Sequence, residues 1–562
     1  MDKKIKIEQL QLLISKEKVD AYLQPSGDAF FSEYPPESAK RLAWLCGFDG
    51  SAGTLLVLCT AVDGEQAILF TDGRYTLQAS SQLDKRLFQV VDVAEYSPAS
   101  WLLKHQPEAV LGYDAWLHSH RQVSGWGELK TQPLSHNPID ILWKDQPDQP
   151  AEPAFSHDMK YAGELSSSKK ERILSMMHSD ADALLLTQPD GINWLLNIRG
   201  GDIPFNPLAL CLAVLARDGR ITLISEPREW PELGADVSHV SWQEFQRNTA
   251  DTFSQFNGLQ LDAKATSEAV WQAAQVAGCQ IIDAPDPCEA AKAIKNTTEI
   301  SGIREAHKRD GRALSKFLAW LDAQETFSEL QAVEKIEAFR RAESGDLYRG
   351  PSFDTISGSG PNGAIVHYRV TPESNRSIGR GELYLVDSGG QYPDGTTDVT
   401  RTIVHGEPSP EMIDRYTRVL KGHIALARAV FPEGTTGAQL DALARHSLWE
   451  IGEDYAHGTG HGVGAYLCVH EGPQGISRRA SAVALEEGMI LSNEPGYYKT
   501  GEYGIRIENL VLVRKASQEG FLCFETLTLA PMDTRLINTN LLSSDECAWL
   551  AHYEAQVIEN KY

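Results

Sequence analysis

Asp387, Asp398, His461, Glu494 and Glu508 fall in the last third of a 562-residue chain, and together they have the ligand composition of a two-metal hydrolytic centre. Four are carboxylates. Folded together without cations, they would repel one another by several kcal/mol per pair at an effective dielectric of ~20, so their convergence demands bound metal. Five ligands cannot fill two shells separately, so carboxylates must bridge. Oxygen-rich coordination with one imidazole suits two divalent ions, Mn2+ best, with Zn2+, Co2+ and Fe2+ also compatible.

Each of the five sits in a tight local motif. LYLVDSGGQYPDGTTDVTRTIV reads as a strand ending at Asp387, a turn through Gly389, Gly390 and Gly395, and a Thr/Val strand carrying Asp398. Such a hairpin would bring the two carboxylates together. HGTGHGVG holds His457 and His461 among four glycines, which permit close backbone approach to a ligand. NEPGYY and GIRIEN present Glu494 and Glu508. Taken singly, DSG or DGT is a turn signature, because Asp and Gly build turns for reasons unrelated to catalysis. A lone Glu in NEPGYY could likewise serve as a cap. The joint occurrence, in one contiguous region and in this order, is what points to metal.

The string HY at His367, DSG at Asp387, TTDVTRT at Asp398, HGTGHGVG at His461, VHEGP at His470, EPGYY at Glu494 and GIRIEN at Glu508 resembles the pita-bread metallopeptidases. Among them the chain looks most like the long, three-domain cytosolic aminopeptidase P (Xaa-Pro aminopeptidase) branch, and the likeness extends to YLQPSGDAFFSEY and GFDGSAGTLLV near the amino terminus. The resemblance implies an α/β (α+β) architecture: two similar N-terminal creatinase-like domains, 1–155 and 156–287, and a pita-bread catalytic domain, 288–562. It implies removal of the N-terminal residue from peptides with proline second, through a metal-bridging hydroxide, with Glu494 as both metal ligand and proton acceptor. His367 becomes a donor to the tetrahedral intermediate, with a satisfied histidine at a strand end as the rival reading. His470 contacts the peptide backbone and shuttles a proton, while His457, four residues before the ligand, lines the proline pocket. Tyr498 and Arg506 support the intermediate and orient Glu508, though either could simply pack. Arg199, in NIRGGDIPFNP, matches a loop that reaches toward the active site in the family. A homodimer is implied as well. Asn493 stands where the family often has Asp.

The substrate explains the metals. An Xaa-Pro bond is a tertiary amide whose nitrogen carries no hydrogen, so a protease that grips the scissile N–H cannot use it. Two metals ~3.5 to 4 Å apart activate water and polarise the carbonyl without touching that nitrogen. Prolidase, which cleaves Xaa-Pro dipeptides, and methionine aminopeptidase share the metal set; the motif wording and the two preceding domains favour aminopeptidase P. A non-catalytic peptide- or histone-binding member of the fold would typically lack the ligands, and all five are here.

Composition agrees. A hydrophobic fraction of 42% with 23% charged residues describes an ordinary globular protein, and a net charge of −25 argues against nucleic acid or anionic membrane as partner. MDKKIKIEQLQLL has no apolar run of the signal-peptide kind, so a cytoplasmic location is expected. The eight cysteines, from Cys46 to Cys547, form no CxxC pair and read as reduced.

Punctuation marks the domains. Four prolines between Pro138 and Pro153 place one boundary, and DAPDPCEAAKAIKNTTEI, Asp283 to Ile300, a second that yields to a helix. VDAYLQPSGD at Val19 recurs loosely as ADALLLTQPD at Ala181, each followed by an aromatic-apolar run, which suggests duplication. In the catalytic part, Ser409 with Pro410 predicts a helix start, and Thr436 with Gln439 a capping box. Leu440, Leu443, Ala444, Leu448 and Ile451 keep helical spacing and predict one buried face. A curved sheet bearing the ligands and backed by helices follows.

Overall fold

The computed structural model describes residues 2–62, 64–479 and 482–560. It divides into two compact units, Met1–Ser156 with Ser166–Cys288, and His157–Leu165 with Glu289–Tyr562.

The first unit holds two six-stranded sheets. In the first, β1 (Ala21–Pro25), β2 (Thr54–Val62), β3 (Glu65–Thr71), β4 (Phe88–Asp92), β5 (Val110–Tyr113) and β6 (Lys130–Pro133) lie in the order β4-β3-β2-β1-β5-β6. In the second, β7 (Ala183–Leu186), β8 (Leu212–Ala216), β9 (Ile221–Ser225), β10 (Val237–Ser241), β11 (Gly258–Leu261) and β12 (Gln280–Asp283) lie in the order β10-β9-β8-β7-β11-β12. Both sheets repeat one sequence of pairings along that order: parallel, antiparallel, antiparallel, parallel, parallel. The loose likeness of Val19–Asp28 to Ala181–Asp190 is therefore a likeness of topology.

Both faces of the first sheet are covered at its centre, so β2 and β3 carry apolar residues on both faces. Tyr22, Leu55, Val57, Ala67 and Leu69 point to a core with Ile7, Leu10 and Ile14 of helix Lys3–Lys16. Their neighbours Leu23, Leu56, Leu58, Ile68 and Phe70 point to a second core with Trp101 and Leu102.

The two modules meet at matching positions. Ser119 and Ser267, each the N-cap of a helix, form an isolated antiparallel bridge. Around it the His120 N–H donates to Thr266 O (3.0 Å) and the Glu268 N–H to His118 O (2.8 Å). One step out, the Arg121 N–H donates to Ala263 O (2.8 Å) and the Ala269 N–H to Ala115 O (3.0 Å). Every partner is its counterpart's equivalent at a constant offset of 148 residues, and His120 Nδ1 meets the Glu268 carboxylate at 2.8 Å across this local pseudo-twofold axis.

In the second unit the expected hairpin is present. Glu382–Ser388 pairs antiparallel with Val399–His405, placing Asp387 opposite Thr400, and Ile356–Ser359 adds a third strand. Asp398 lies one residue before its strand rather than within it. A six-stranded sheet follows in the order Val430–Pro432, Phe521–Thr526, Asn509–Lys515, Ile490–Asn493, Gly460–Gly462, Glu471–Ile476. Between the hairpin and His461 the chain forms helices Pro410–Ala427 and Gly437–Trp449. Ser409 caps the first by accepting from the Met412 N–H, and Gln439 Oε1 accepts from the Thr436 N–H at the start of the second.

Two further expectations need correction. Leu440, Ala444 and Leu448 are buried, but Leu443 is 40% exposed and Ile451 falls beyond the helix end, so the apolar stripe is narrower than its spacing implied. The helix opening the catalytic part is two helices, Pro287–Ala293 and Thr297–Asp322, because Asn296 interposes a capping box: its side chain accepts from Thr298 and Glu299, and Glu299 accepts from the Asn296 N–H. All eight cysteines are free thiols, and among the described residues no helix is long and apolar enough to cross a membrane.

Candidate metal centre

Strand ends and a tight hairpin gather the five residues. Asp387 and Asp398 stand at facing ends of the first hairpin; His461 lies on Gly460–Gly462; Glu494 follows Ile490–Asn493 and Glu508 precedes Asn509–Lys515. Pairing of those last two strands sets Asn493 opposite Asn509, so the two glutamates emerge side by side.

Ligand atoms of Asp387, Asp398 and Glu508 lie within 4.8 Å of one another, as do those of His461, Glu494 and Glu508. A third such group joins Asp398 and His461 to His470. His461 Nε2 is 3.4 Å from Asp398 and 3.8 Å from Glu494, while its Nδ1 faces Gly462 O at 2.9 Å, leaving Nε2 as the inward atom.

Surrounding groups fix these side chains. The Thr400 hydroxyl donates to Glu508 Oε2 (2.8 Å), and the Ser492 hydroxyl to Glu494 Oε1 (3.3 Å) and, as acceptor, takes the His461 N–H (3.0 Å). Arg506 donates to Asp387 Oδ2 (2.7 Å), to the Tyr498 oxygen (2.6 Å) and to the Thr400 hydroxyl (3.1 Å). Tyr498 in turn donates to His457 Nε2 (2.8 Å), and His457 Nδ1 donates to Gly458 O (2.7 Å). The expected partner of Arg506 was Glu508; its fork bonds Asp387, and Thr400 orients Glu508 instead.

Electrostatics describe a cluster short of positive charge. Burial pushes the Asp387 carboxyl up to about 7 against the pull of Arg506, with the Asp398 and Glu494 charges adding to the rise. Burial also raises Glu494, and raises Glu508 well above the carboxylate range, where Asp398, Asp387 and Glu494 all add to it. For His461 burial alone would depress the pKa, but Asp398 and Glu494 overcome it and hold the ring up to about 9. Buried oxygens Asp387 Oδ1 and Asp398 Oδ1 have no hydrogen-bond partner among the described residues. A buried carboxylate oxygen left bare is costly, and two of them on residues of one acid cluster fit divalent cations.

The remaining sequence candidates are distributed as follows. His367 is half-buried in a turn after the 3-10 segment Gly360–Ala364, not at a strand end, and its neighbour Val366 accepts from Arg506 (3.4 Å). His470 packs its ring edge-on to His461, with centroids 4.3 Å apart. Glu471, the next residue, is clamped by Lys292 (2.5 Å) and Lys295, all three buried. Arg199 belongs to the first unit, where its buried guanidinium donates to Ile198 O (2.8 Å) and Asn193 O (3.3 Å). Asn493 Nδ2 donates to His423 O (2.9 Å), a bond an Asp carboxylate could not make. Thr400, Ser492 and the Lys292–Glu471–Lys295 cluster escaped the sequence reading; Thr400, inside TTDVTRT, and Glu471, inside VHEGP, carried a positional hint.

The family description Metallopeptidase family M24 matches residues 301–515, and C-terminal region of peptidase_M24 matches 520–561. Creatinase/Prolidase N-terminal domain matches twice, at 6–135 and 145–299. A probable Xaa-Pro aminopeptidase P of Laccaria bicolor is 40% identical over 98% of this chain and 89% of its own length. Xaa-Pro aminopeptidase 1 of Dictyostelium discoideum is 37% identical over 99% and 92%. The crystal structure of X-prolyl aminopeptidase from Caenorhabditis elegans, described as a cytosolic enzyme with a di-nuclear active site, superposes with a TM-score of 0.93 at 34% identity, covering 100% of this chain and 96% of that one. An Xaa-Pro dipeptidase from Bacillus anthracis covers only 66% of this chain, with a TM-score of 0.53 at 25% identity. With its duplicated N-terminal module, its cluster of four acids and a histidine and relatives matched along nearly their whole length, the chain belongs to metallopeptidase family M24, in the Xaa-Pro aminopeptidase P group.

Proposed function

We propose that this protein is a dinuclear metallo-aminopeptidase that removes the N-terminal residue from peptides with proline in the second position. The observation that carries the reading is the clustering of Asp387, Asp398, His461, Glu494 and Glu508, with one buried oxygen bare on each of the two aspartates. In this reading those five residues hold two divalent ions, Mn2+ by ligand type. When bound, the ions lower the pKa of water and polarise the scissile carbonyl.

The protein's own groups do the rest. Glu494 takes the proton of the attacking water. The proline nitrogen has no hydrogen in the peptide and must gain one to leave, and His470, beside His461, delivers it. His367 donates to the oxygen of the tetrahedral intermediate. His457 has both ring nitrogens engaged by Tyr498 and Gly458, which suits a fixed wall of the proline pocket rather than a proton carrier.

We further propose the domain division 1–155, 156–287 and 288–562, a homodimeric assembly and a cytoplasmic location. Support for the division comes from the two separate sheets of the first unit, and for the location from the description of the nematode relative as cytosolic. A hydrolysis panel with added Mn2+ tests the activity: an Xaa-Pro-Yaa tripeptide should be cleaved well, an Xaa-Pro dipeptide poorly and Met-Ala-Ser scarcely. Preferential cleavage of the dipeptide would reassign the protein as a prolidase.

A further inference from the structure

Behind the metal ligands lies a buried network that the proposed reaction does not use. Arg401, on strand Val399–His405, is 1% exposed. Its Nη1 donates to the carbonyls of Thr400 and Glu508, both at 2.7 Å, and its Nε to Pro531 O at 2.9 Å. Its Nη2 faces Asn509 Oδ1 (2.8 Å), the Tyr553 hydroxyl (2.8 Å) and Ala530 O (3.0 Å). All six acceptors are neutral. No carboxylate is hydrogen-bonded to this buried guanidinium, which sits behind a cluster rich in acids.

The network reaches both glutamates. Asn509 follows Glu508 and pairs in register with Asn493, which precedes Glu494. Asn509 Nδ2 donates to His423 Nε2 (3.1 Å), and His423 Nδ1 donates to Asn493 O (3.1 Å). At the outer end stands Tyr553, 2% exposed, on the C-terminal helix Ser544–Asn560; its hydroxyl accepts from Arg401 and donates to Ala530 O (2.8 Å).

We propose that Arg401 and Tyr553 are positioning residues for metal binding. The C-terminal helix, through the Tyr553 hydroxyl, holds the Arg401 fork, and the fork fixes the backbone of Thr400 and Glu508 from which two of the centre's orienting and binding groups project. This rests on the reading of Glu508 and Glu494 as ligands. Partners one layer behind a metal's ligands contribute roughly 10- to 100-fold in metal affinity or activity.

The test is equilibrium dialysis of metal-stripped protein against Mn2+, followed by thermal unfolding of the same samples. Tyr553→Phe and Arg401→Lys should each bind one of the two ions about tenfold or more weakly, and saturating Mn2+ should restore most of kcat with KM unchanged. Tyr416→Phe removes another hydroxyl from the same apolar core, one with no hydrogen bond to this network, and should leave metal affinity at the wild-type value. Wild-type affinity in both test variants overturns the proposal, as does a lowered Tm with no change in affinity. Wild-type protein that binds fewer than two ions would instead overturn the reading of the centre itself.

Discussion

Arg506 holds one oxygen of Asp387 at 2.7 Å and leaves the other without a partner. The carboxylate is thereby divided: one oxygen is engaged by the protein, and the other is open to an ion in the proposed centre. Arg506→Lys keeps the charge but cannot bond Asp387, Tyr498 and Thr400 at once. We expect weaker binding of one ion and at least a tenfold lower kcat, read by metal titration and by initial rates at saturating Mn2+.

Removing a carboxylate that belongs to two of the three residue groups should act more severely. Asp398→Ala and Glu508→Ala are expected to lower bound metal below about two ions per chain and to abolish turnover. Elemental analysis beside a tripeptide assay decides; full metal content with a normal rate in Asp398→Ala would dismantle the site.

The histidines separate binding from chemistry. His367→Ala and His470→Ala should retain metal and fold while losing on the order of 10²-fold in kcat. His457→Ala removes a pocket wall and also frees the Tyr498 hydroxyl, so a raised KM with a smaller fall in kcat is expected. Loss of metal in the His470 variant would move that residue into the ligand set, where its reach to Asp398 and His461 would already allow it.

Metal binding must displace protons. Asp387 is raised to about 7, Glu494 and Glu508 are raised, and His461 is held up to about 9, so the metal-free cluster carries protons that ligation expels. Affinity for Mn2+ should therefore rise with pH between 6 and 9, by up to about tenfold per unit for each proton released. Calorimetry in two buffers of different ionisation enthalpy counts those protons; a pH-independent affinity would contradict the charge balance described.

His423 gives a stability prediction of the opposite kind. Burial lowers its pKa to about 3, the nearby Arg401 charge adds to that, and the ordinary value is 6.5. Between these values the unfolded chain binds a proton that the folded one refuses, so the contribution is present above pH 6.5 and is lost as pH falls, by up to about 1.4 kcal/mol per unit. Urea unfolding in chelator at pH 7 and 5 should show a shallower loss for His423→Gln than for wild type. Equal slopes would mean that the ring takes up its proton without unfolding.

The clustering of the five residues was legible because metal chemistry leaves local marks: a carboxylate beside glycines in a hairpin, a histidine among four more, two glutamates in NEPGYY and GIRIEN. Caps at Ser409 and Thr436 were legible for the same reason, since their partners lie within three residues. Arg401 and Tyr553 were not, with 152 residues between them, nor were Lys295 and Glu471, separated by 176. Strand pairing and helix packing create those contacts, and no local pattern encodes them. Arg506 shows the limit of analogy: its position was identified, but its partner was decided by which carboxylate the fold places opposite its fork.

The pseudo-twofold contact in the first unit has a consequence for synthesis. At ~5–20 residues per second, the 148 residues between matching positions correspond to roughly 7–30 s of elongation. Throughout that interval the backbone of His118–Arg121 has emerged and its counterpart has not. The N–H groups of His120 and Arg121 open helix His120–Ser124 and have no partner within it, so until Thr266 and Ala263 arrive they are open to matching carbonyls nearby, including those of a neighbouring nascent copy. The speed of translation across the second module thus sets how long the molecule is open to pairing with its own sibling.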